Sequence, residues 1–149
     1  MTEDQLWRAM ARDPYERLEL TRIETGSRLG VSDVEYVGTN AHCWVELKVA
    51  KAPGDKVLDH QVRLQHPLTT EQSIWLITHD RPRIRLVSWL LVGLAKGRGW
   101  GAFLLVRPEV AALVAMRRIT WRELLGHRST ETLLRVTDVL ARVNRGVPP

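Results

Sequence analysis

With a single cysteine, Cys43, the chain cannot build an intrachain disulfide framework, and that usage fits a reducing compartment. The opening residues Met1-Thr2-Glu3-Asp4-Gln5 lack the basic and apolar regions of a secretory signal. The longest apolar passage, around Ile84 to Leu94, is interrupted by Arg85 and is too short to span a bilayer. There is no glycine-rich loop of the GxxxxGK type, which sets aside small-nucleotide chemistry built on one. The histidines lack zinc spacing: His60 and His66 lie in a loop without a neighbouring cysteine, and His42 precedes a strand. Cys43 also lacks a matched histidine, so it reads as a small core hydrophobe rather than a nucleophile. Together these absences point to a cytoplasmic protein with no membrane partner.

What is present is an ordinary globule with a basic surplus. At 149 residues, 1–149 reads as one domain, long enough to bury a real core. The formal charge of +5 and a pI near 10.0 favour a polyanionic partner. Thr2 and Gln5 form a capping-box start for a helix whose Leu6 and Met10 share a face, and Pro14 ends or redirects it. Residues 15–21 fit either a strand or a helix. Strands are expected at 22–25, 33–38 and 43–50, then a polar loop from Ala52 to about Leu64. Thr69 or Thr70 caps the next helix, with Gln72 in its first turn and Ile74 and Ile77 facing the core. Strands at 84–92 and 102–106 follow, then helices at about 108–117 and 120–144, the last broken at Gly126. This order predicts an α/β fold with a mixed sheet flanked by helices.

The chemistry concentrates in two neighbouring strands. Val31-Ser32-Asp33-Val34-Glu35-Tyr36-Val37 places an aspartate at the start of one, and Trp44-Val45-Glu46-Leu47-Lys48-Val49 places a Glu-x-Lys triplet in the next. Residues two apart on a strand share a face, so Glu46 and Lys48 project together while Val45, Leu47 and Val49 point the other way. A hairpin would bring Asp33 beside them. Two carboxylates and an ammonium at a sheet edge suit a divalent-metal site that cleaves a phosphodiester, with hard oxygen ligands from the carboxylates and phosphate-charge stabilisation from the lysine. Such ligation suits magnesium, with manganese as a substitute.

Gly30-Val31-Ser32-Asp33, Glu46-Leu47-Lys48 and Glu71-Gln72-Ser73-Ile74-Trp75 resemble the PD-(D/E)XK nuclease superfamily, over roughly residues 20 to 80. The likeness is to small stand-alone members of phage type, a group including VRR-NUC-like nucleases and Holliday-junction resolvases. It implies a restriction-endonuclease-like αβββαβ core with extra C-terminal helices here, and the host cytoplasm if the gene is phage-borne. It implies Asp33, Glu46 and Glu24 as metal ligands with the Leu47 carbonyl, Lys48 as the catalytic lysine, and Gln72 as a site glutamine on the helix that follows the core strands. Glu16 and Glu19 compete with Glu24 for the upstream acidic position. Where the family often has proline before the aspartate, this chain has Ser32.

Several residues carry two readings. Glu35 shares a strand face with Asp33 and either enters the site or stays solvated. Gln72 is a site residue or an exposed helix residue. Trp44 flanks the site or packs under the first helix, while Trp75, Trp89 and Trp121 read as core. Arg81, Arg83 and Arg85, and Lys96 and Arg98 in a glycine-rich strand-to-strand loop, are either DNA-backbone contacts or ordinary loop charges. Arg117, Arg118, Arg122, Arg128 and Arg135 form a solvated face or a helix-turn-helix accessory element. Leu133, Val136, Leu140 and Val143 make a stripe for a homodimer or for the chain's own sheet. The expected activity is metal-dependent endonucleolytic hydrolysis of DNA, structure-selective for branched or four-way-junction substrates. The alternative is a non-catalytic DNA-binding or assembly module.

Overall fold

The computed structural model describes residues 1–12, 18–23, 30–38 and 40–146. Helix α1, Glu3–Ala11, starts at the expected capping box: Gln5 N–H donates to the Thr2 hydroxyl, and the Gln5 side chain accepts from the Thr2 N–H. It buries Leu6 and Met10. Strands β1 (Leu18–Arg22), β2 (Val34–Gly38) and β3 (His42–Lys51) follow. Helix α2 (Thr70–Thr78) leads to β4 (Leu86–Lys96) and β5 (Gly99–Val106). Then come α3 (Pro108–Ala115), α4 (Trp121–Gly126), β6 (Thr130–Leu133) and α5 (Val136–Arg145). The first six major elements run α, β, β, β, α, β, the order expected of a restriction-endonuclease-like core, within a mixed α/β fold.

The six strands lie in one sheet in chain order, β1 to β6. All neighbours are antiparallel except β3 and β4, which are parallel and joined by the connection that carries α2. From Val45 to Ala50, β3 is buried without alternation, as a strand covered on both faces must be. On one face Val45, Leu47 and Val49 pack with Leu6 and Met10 of α1 and Val139, Leu140 and Val143 of α5. On the other, Ala50, Leu90, Val92 and Leu104 pack with Leu76 of α2, Val110 of α3 and Leu124 of α4. Among the described residues no helix is long and apolar enough to cross a membrane.

Several expectations are corrected. Strand β1 occupies 18–22, where the ambiguous stretch pairs antiparallel with β2, Leu20 opposite Tyr36; of the expected 22–25, Ile23 lies outside the strand and 24–25 lie outside the described residues. Ile74 and Ile77 are exposed; Ser73 and Leu76 face inward instead. The helix is rotated so that Gln72, one turn before Leu76, also points to the sheet. The expected long C-terminal helix is α4, strand β6 and α5, because α4 stops at Gly126 and Thr130–Leu133 pairs with β5. The whole stripe packs on the chain's own core: Leu140 and Val143 are buried in it, and Leu133 and Val136 are partly buried against it. The Lys96–Gly101 segment is no flexible loop. Strands β4 and β5 extend into it and reverse at Gly97-Arg98, with Gly97 at φ 60°.

Candidate active site

The β2–β3 ladder brings the two key carboxylates together. Its register pairs Val34 with Val45, so the next step sets Asp33 opposite Glu46. There the ladder ends and the Asp33 side chain takes over: its Oδ2 accepts the Leu47 N–H at 2.9 Å. The Asp33 main chain is held by Ile23, whose N–H donates to the Asp33 carbonyl at 2.8 Å. In an extended strand the carbonyl and N–H of one residue point to the same side, so the Leu47 carbonyl also lies on the Asp33 side.

Glu46 and Lys48 share the face turned toward α2, and both are buried, at 0% and 4% exposure. Lys48 Nζ lies 3.2 Å from Glu46 Oε1 and 3.7 Å from Glu3 Oε1 of α1. Gln72 Nε2 donates to Glu46 Oε1 at 2.5 Å, and the same residue closes the α2 capping box with Thr69. Gln72 is therefore oriented twice, by its backbone role at the helix start and by its side-chain bond to Glu46. Glu46 Oε2 is buried and has no hydrogen-bond partner among the described residues.

These contacts set the electrostatics. Burial, and then the charge of Asp33, push the Glu46 carboxyl from 4.5 up to about 8, with Lys48 opposing the shift. Burial also raises Asp33, against the Leu47 N–H and the Lys48 charge, which both lower it. When ionised, Asp33, Glu46 and Glu3 around the one Lys48 ammonium leave negative charge without a countercharge, and one buried Glu46 oxygen has no donor among the described residues. A hard divalent cation fits that deficit: the donors at hand are carboxylate and main-chain oxygens, the set magnesium takes while keeping several waters. Among the described residues no three His, Cys, Asp or Glu side chains converge as a metal cluster. Glu24 and its competitor Glu16 lie outside the described residues. Glu19, the other competitor, is exposed on β1, paired with Val37.

Gly30 fixes how closely Asp33's segment approaches α2. Its φ is 80°, and a Cβ there would meet the Glu71 carbonyl carbon and oxygen at 2.6 Å. A side chain at this position would therefore force the 30–33 segment away from Gln72. Ser32 is buried, and its hydroxyl has no partner among the described residues.

The remaining expected residues are placed as follows. Glu35 accepts or shares a proton with His42 Nε2 at 2.7 Å, away from Lys48's partners. Trp44 packs under α2 rather than α1, edge-on to Trp75 at 5.8 Å, and His79 stacks on Trp75 at 3.7 Å. Trp89 and Trp121 are buried, as expected; Trp75 is half-buried. Arg81, Arg83 and Arg85 are exposed at the start of β4, and Lys96 and Arg98 at its far end. The two basic segments are not brought together. They bracket Leu90 and Val92, the partners of Glu46 and Lys48, from either end of an 11-residue strand. Glu3 escaped the sequence reading, which saw only the Thr2–Gln5 capping box around it. Nothing in the local pattern shows that α1 begins beside Lys48.

No protein-family model matches the chain, and no curated protein matches it. Among solved structures it is similar to Hjc, a Holliday junction resolvase from the archaeal hyperthermophile Archaeoglobus fulgidus, at 13% identity over 91% of each chain, with a TM-score of 0.42.

Proposed function

We propose that the protein is a divalent-metal-dependent DNA endonuclease. The observation that carries this reading is the partnerless buried oxygen of Glu46, set beside Asp33 with Lys48 at 3.2 Å from the other oxygen. A purely structural ion pair would satisfy both oxygens or be replaced by apolar packing at little cost. Asp33, Glu46 and the Leu47 carbonyl would hold magnesium, or manganese in its place, with Glu24 as the further ligand. Bound there, the metal supplies Lewis acidity, lowering the pKa of a water and neutralising charge on the scissile phosphate.

The chain's own groups do the rest. Gln72 and Lys48 both engage Oε1 of Glu46, which leaves the buried Oε2 without a partner among the described residues and available to the metal. Glu3 and Glu46 hold the Lys48 ammonium between them, so that it offers a fixed positive charge to a phosphate oxygen or to the attacking water. The exposed cations at the two ends of β4 would straddle the site. An 11-residue strand spans about 35 Å, close to one turn of duplex. None of these five cations makes an ion pair among the described residues, so their charge is free for backbone phosphate.

The substrate we propose is branched DNA, with four-way junctions preferred over linear duplex and the protein acting as a homodimer. The support is the resemblance of the Asp33, Glu46 and Lys48 pattern, together with the small size of the chain, which leaves little room for base-reading elements. Selectivity would then come from DNA shape and backbone contacts. Nicking of supercoiled plasmid and of linear, flapped and four-way-junction DNA tests the reading. Cleavage should require magnesium or manganese, stop in EDTA and with calcium alone, and disappear in E46Q and K48A. Wild-type rates in either variant, or full activity in EDTA, would overturn it. A sedimentation monomer that cuts linear and branched DNA equally would reduce it to a general nuclease.

A further inference from the structure

A cleft of about 770 Å³ lies on the α2 side of the sheet, between the 52–68 segment and the corner where α3 meets α4. That volume is within the range of clefts that bury small organic ligands. Every charged residue lining it is basic: Lys51, Arg63 and Arg117, with His60 beside them and no carboxylate. None of the three strong cations makes an ion pair among the described residues. Behind this rim the wall is apolar, built from Val62, Leu68 and Trp121. Unneutralised cations over a buried apolar wall suit a ligand that is anionic at one end and flat and weakly polar at the other.

The cleft is built before any ligand arrives. Val62 N–H donates to the Ile119 carbonyl at 3.0 Å, Trp121 N–H to the His60 carbonyl at 3.1 Å, and Arg122 N–H to the Leu58 carbonyl at 2.8 Å. Arg117 carries the second independent signal. It sits at φ 56°, at the end of α3. Its N–H donates to the Val114 carbonyl and that of Arg118 to the Leu113 carbonyl, the paired bonds of a helix end that glycine usually closes. Arginine in this left-handed conformation strains the backbone, and its exposed side chain lines the cleft. Lys51 ends the strand that carries Glu46 and Lys48, three residues beyond Lys48 and so about 10 Å along it.

We propose that this cleft binds a single DNA strand, seating an unstacked nucleotide on the Val62–Leu68–Trp121 wall with its phosphates on Lys51, Arg63 and Arg117. The proposal rests on the DNA reading above and adds a site for a strand that is unpaired, as in a flapped substrate, or that opens at the branch point of a junction. A phosphate-only contact would need no apolar wall, whereas an unstacked base does.

Binding is measured by fluorescence anisotropy in EDTA, so that no cleavage occurs, with a labelled twelve-nucleotide oligothymidylate and a twelve-base-pair duplex as probes. The variant is R63A/R117G. Glycine relaxes the strained position, so R117G should melt at or above the wild-type temperature, which guards against a folding artefact. The double variant should lose tenfold or more in affinity for the single strand and less than threefold for the duplex. Its log-affinity against log-salt slope on the single strand should become shallower by about 1.4. Unchanged single-strand binding, or equal losses on both probes, would overturn the proposal. If wild type nicks DNA and R63A/R117G binds the single strand normally, the cleft fails while the nuclease reading stands. If wild type never nicks but the selective loss appears, the nuclease reading fails and the cleft stands.

Discussion

Substituting Glu46 by glutamine probes the site without any nucleic acid. In the folded chain burial and Asp33 hold the Glu46 carboxyl at about 8, against 4.5 for a free side chain. Between those two pH values the folded protein keeps a proton that the unfolded chain has lost. Stability attributable to this group is therefore fully present below about 4.5, falls as pH rises to about 8, and changes no further above it. If all of it were expressed, the loss would be on the order of 5 kcal/mol. Rearrangement around the buried charge should leave about 2–4 kcal/mol. Glutamine mimics the protonated acid, keeps an acceptor for Gln72 and Lys48, and does not titrate. E46Q should thus melt with the wild type near pH 4.5 and above it at pH 8.5. For a chain of this length the difference should be about 5–15 °C. Magnesium should narrow or close the gap at pH 8.5, because a cation bound at a hundred times its dissociation constant adds about 2.7 kcal/mol to the wild type. Calorimetry or circular-dichroism melts at the two pH values, in EDTA and in magnesium, read all four quantities. Equal melting temperatures at both pH values, or the same magnesium gain in both proteins, would refute the reasoning.

Three further outcomes follow from the same geometry. G30A forces a Cβ into the Glu71 backbone at a left-handed position; it should cost about 2 kcal/mol or more, lower the melting temperature by at least 4 °C, and cut nicking with it. S32A removes a buried hydroxyl without a partner, and urea denaturation should show it neutral or up to about 1 kcal/mol more stable than wild type. R83A/R98A removes one exposed cation from each end of β4; it should weaken duplex binding uniformly across sequences and make the salt slope shallower by about 1.8, with melting unchanged.

The strands of the site were legible because strand parity is a strict rule. Glu46 and Lys48 had to share a face, and a hairpin had to bring Asp33 to them. The capping box at Thr2 was equally readable as a local hydrogen-bond pattern written in four residues, whereas the start of α2 was read only as a cap at Thr69 or Thr70, and the box at Thr120 was not read. Helix α2 was misread in phase because Ile74 and Ile77 look like core residues. Its rotation is set by Gln72 reaching Glu46, a contact between distant segments. Strand β6 was missed because Thr130–Leu133 is short and gains its strand character from pairing with β5 rather than from its own composition. Glu3 was missed for the same kind of reason: its place beside Lys48 depends on how α1 crosses the end of β3's ladder. The two basic segments flanking β4 were visible in the sequence, but their separation became visible only once the strand's full length was known.

A sheet whose spatial order repeats its chain order has a kinetic consequence. Four of its five strand pairings join neighbours in sequence through antiparallel contacts, and such local contacts favour rapid folding. The parallel union of β3 with β4 must close the longest connection, residues 52–85, against chain entropy, and the β5–β6 pairing closes the next, residues 107–129. The β3–β4 connection carries α2 and one wall of the cleft, the 52–68 segment. Asp33, Glu46 and Lys48 are assembled on the early, hairpin side of this step, and Gln72 arrives with the late one. Closing the sheet and desolvating the Glu46 carboxylate are therefore one event, so the carboxylates stay hydrated and easily ionised until the moment the fold is complete.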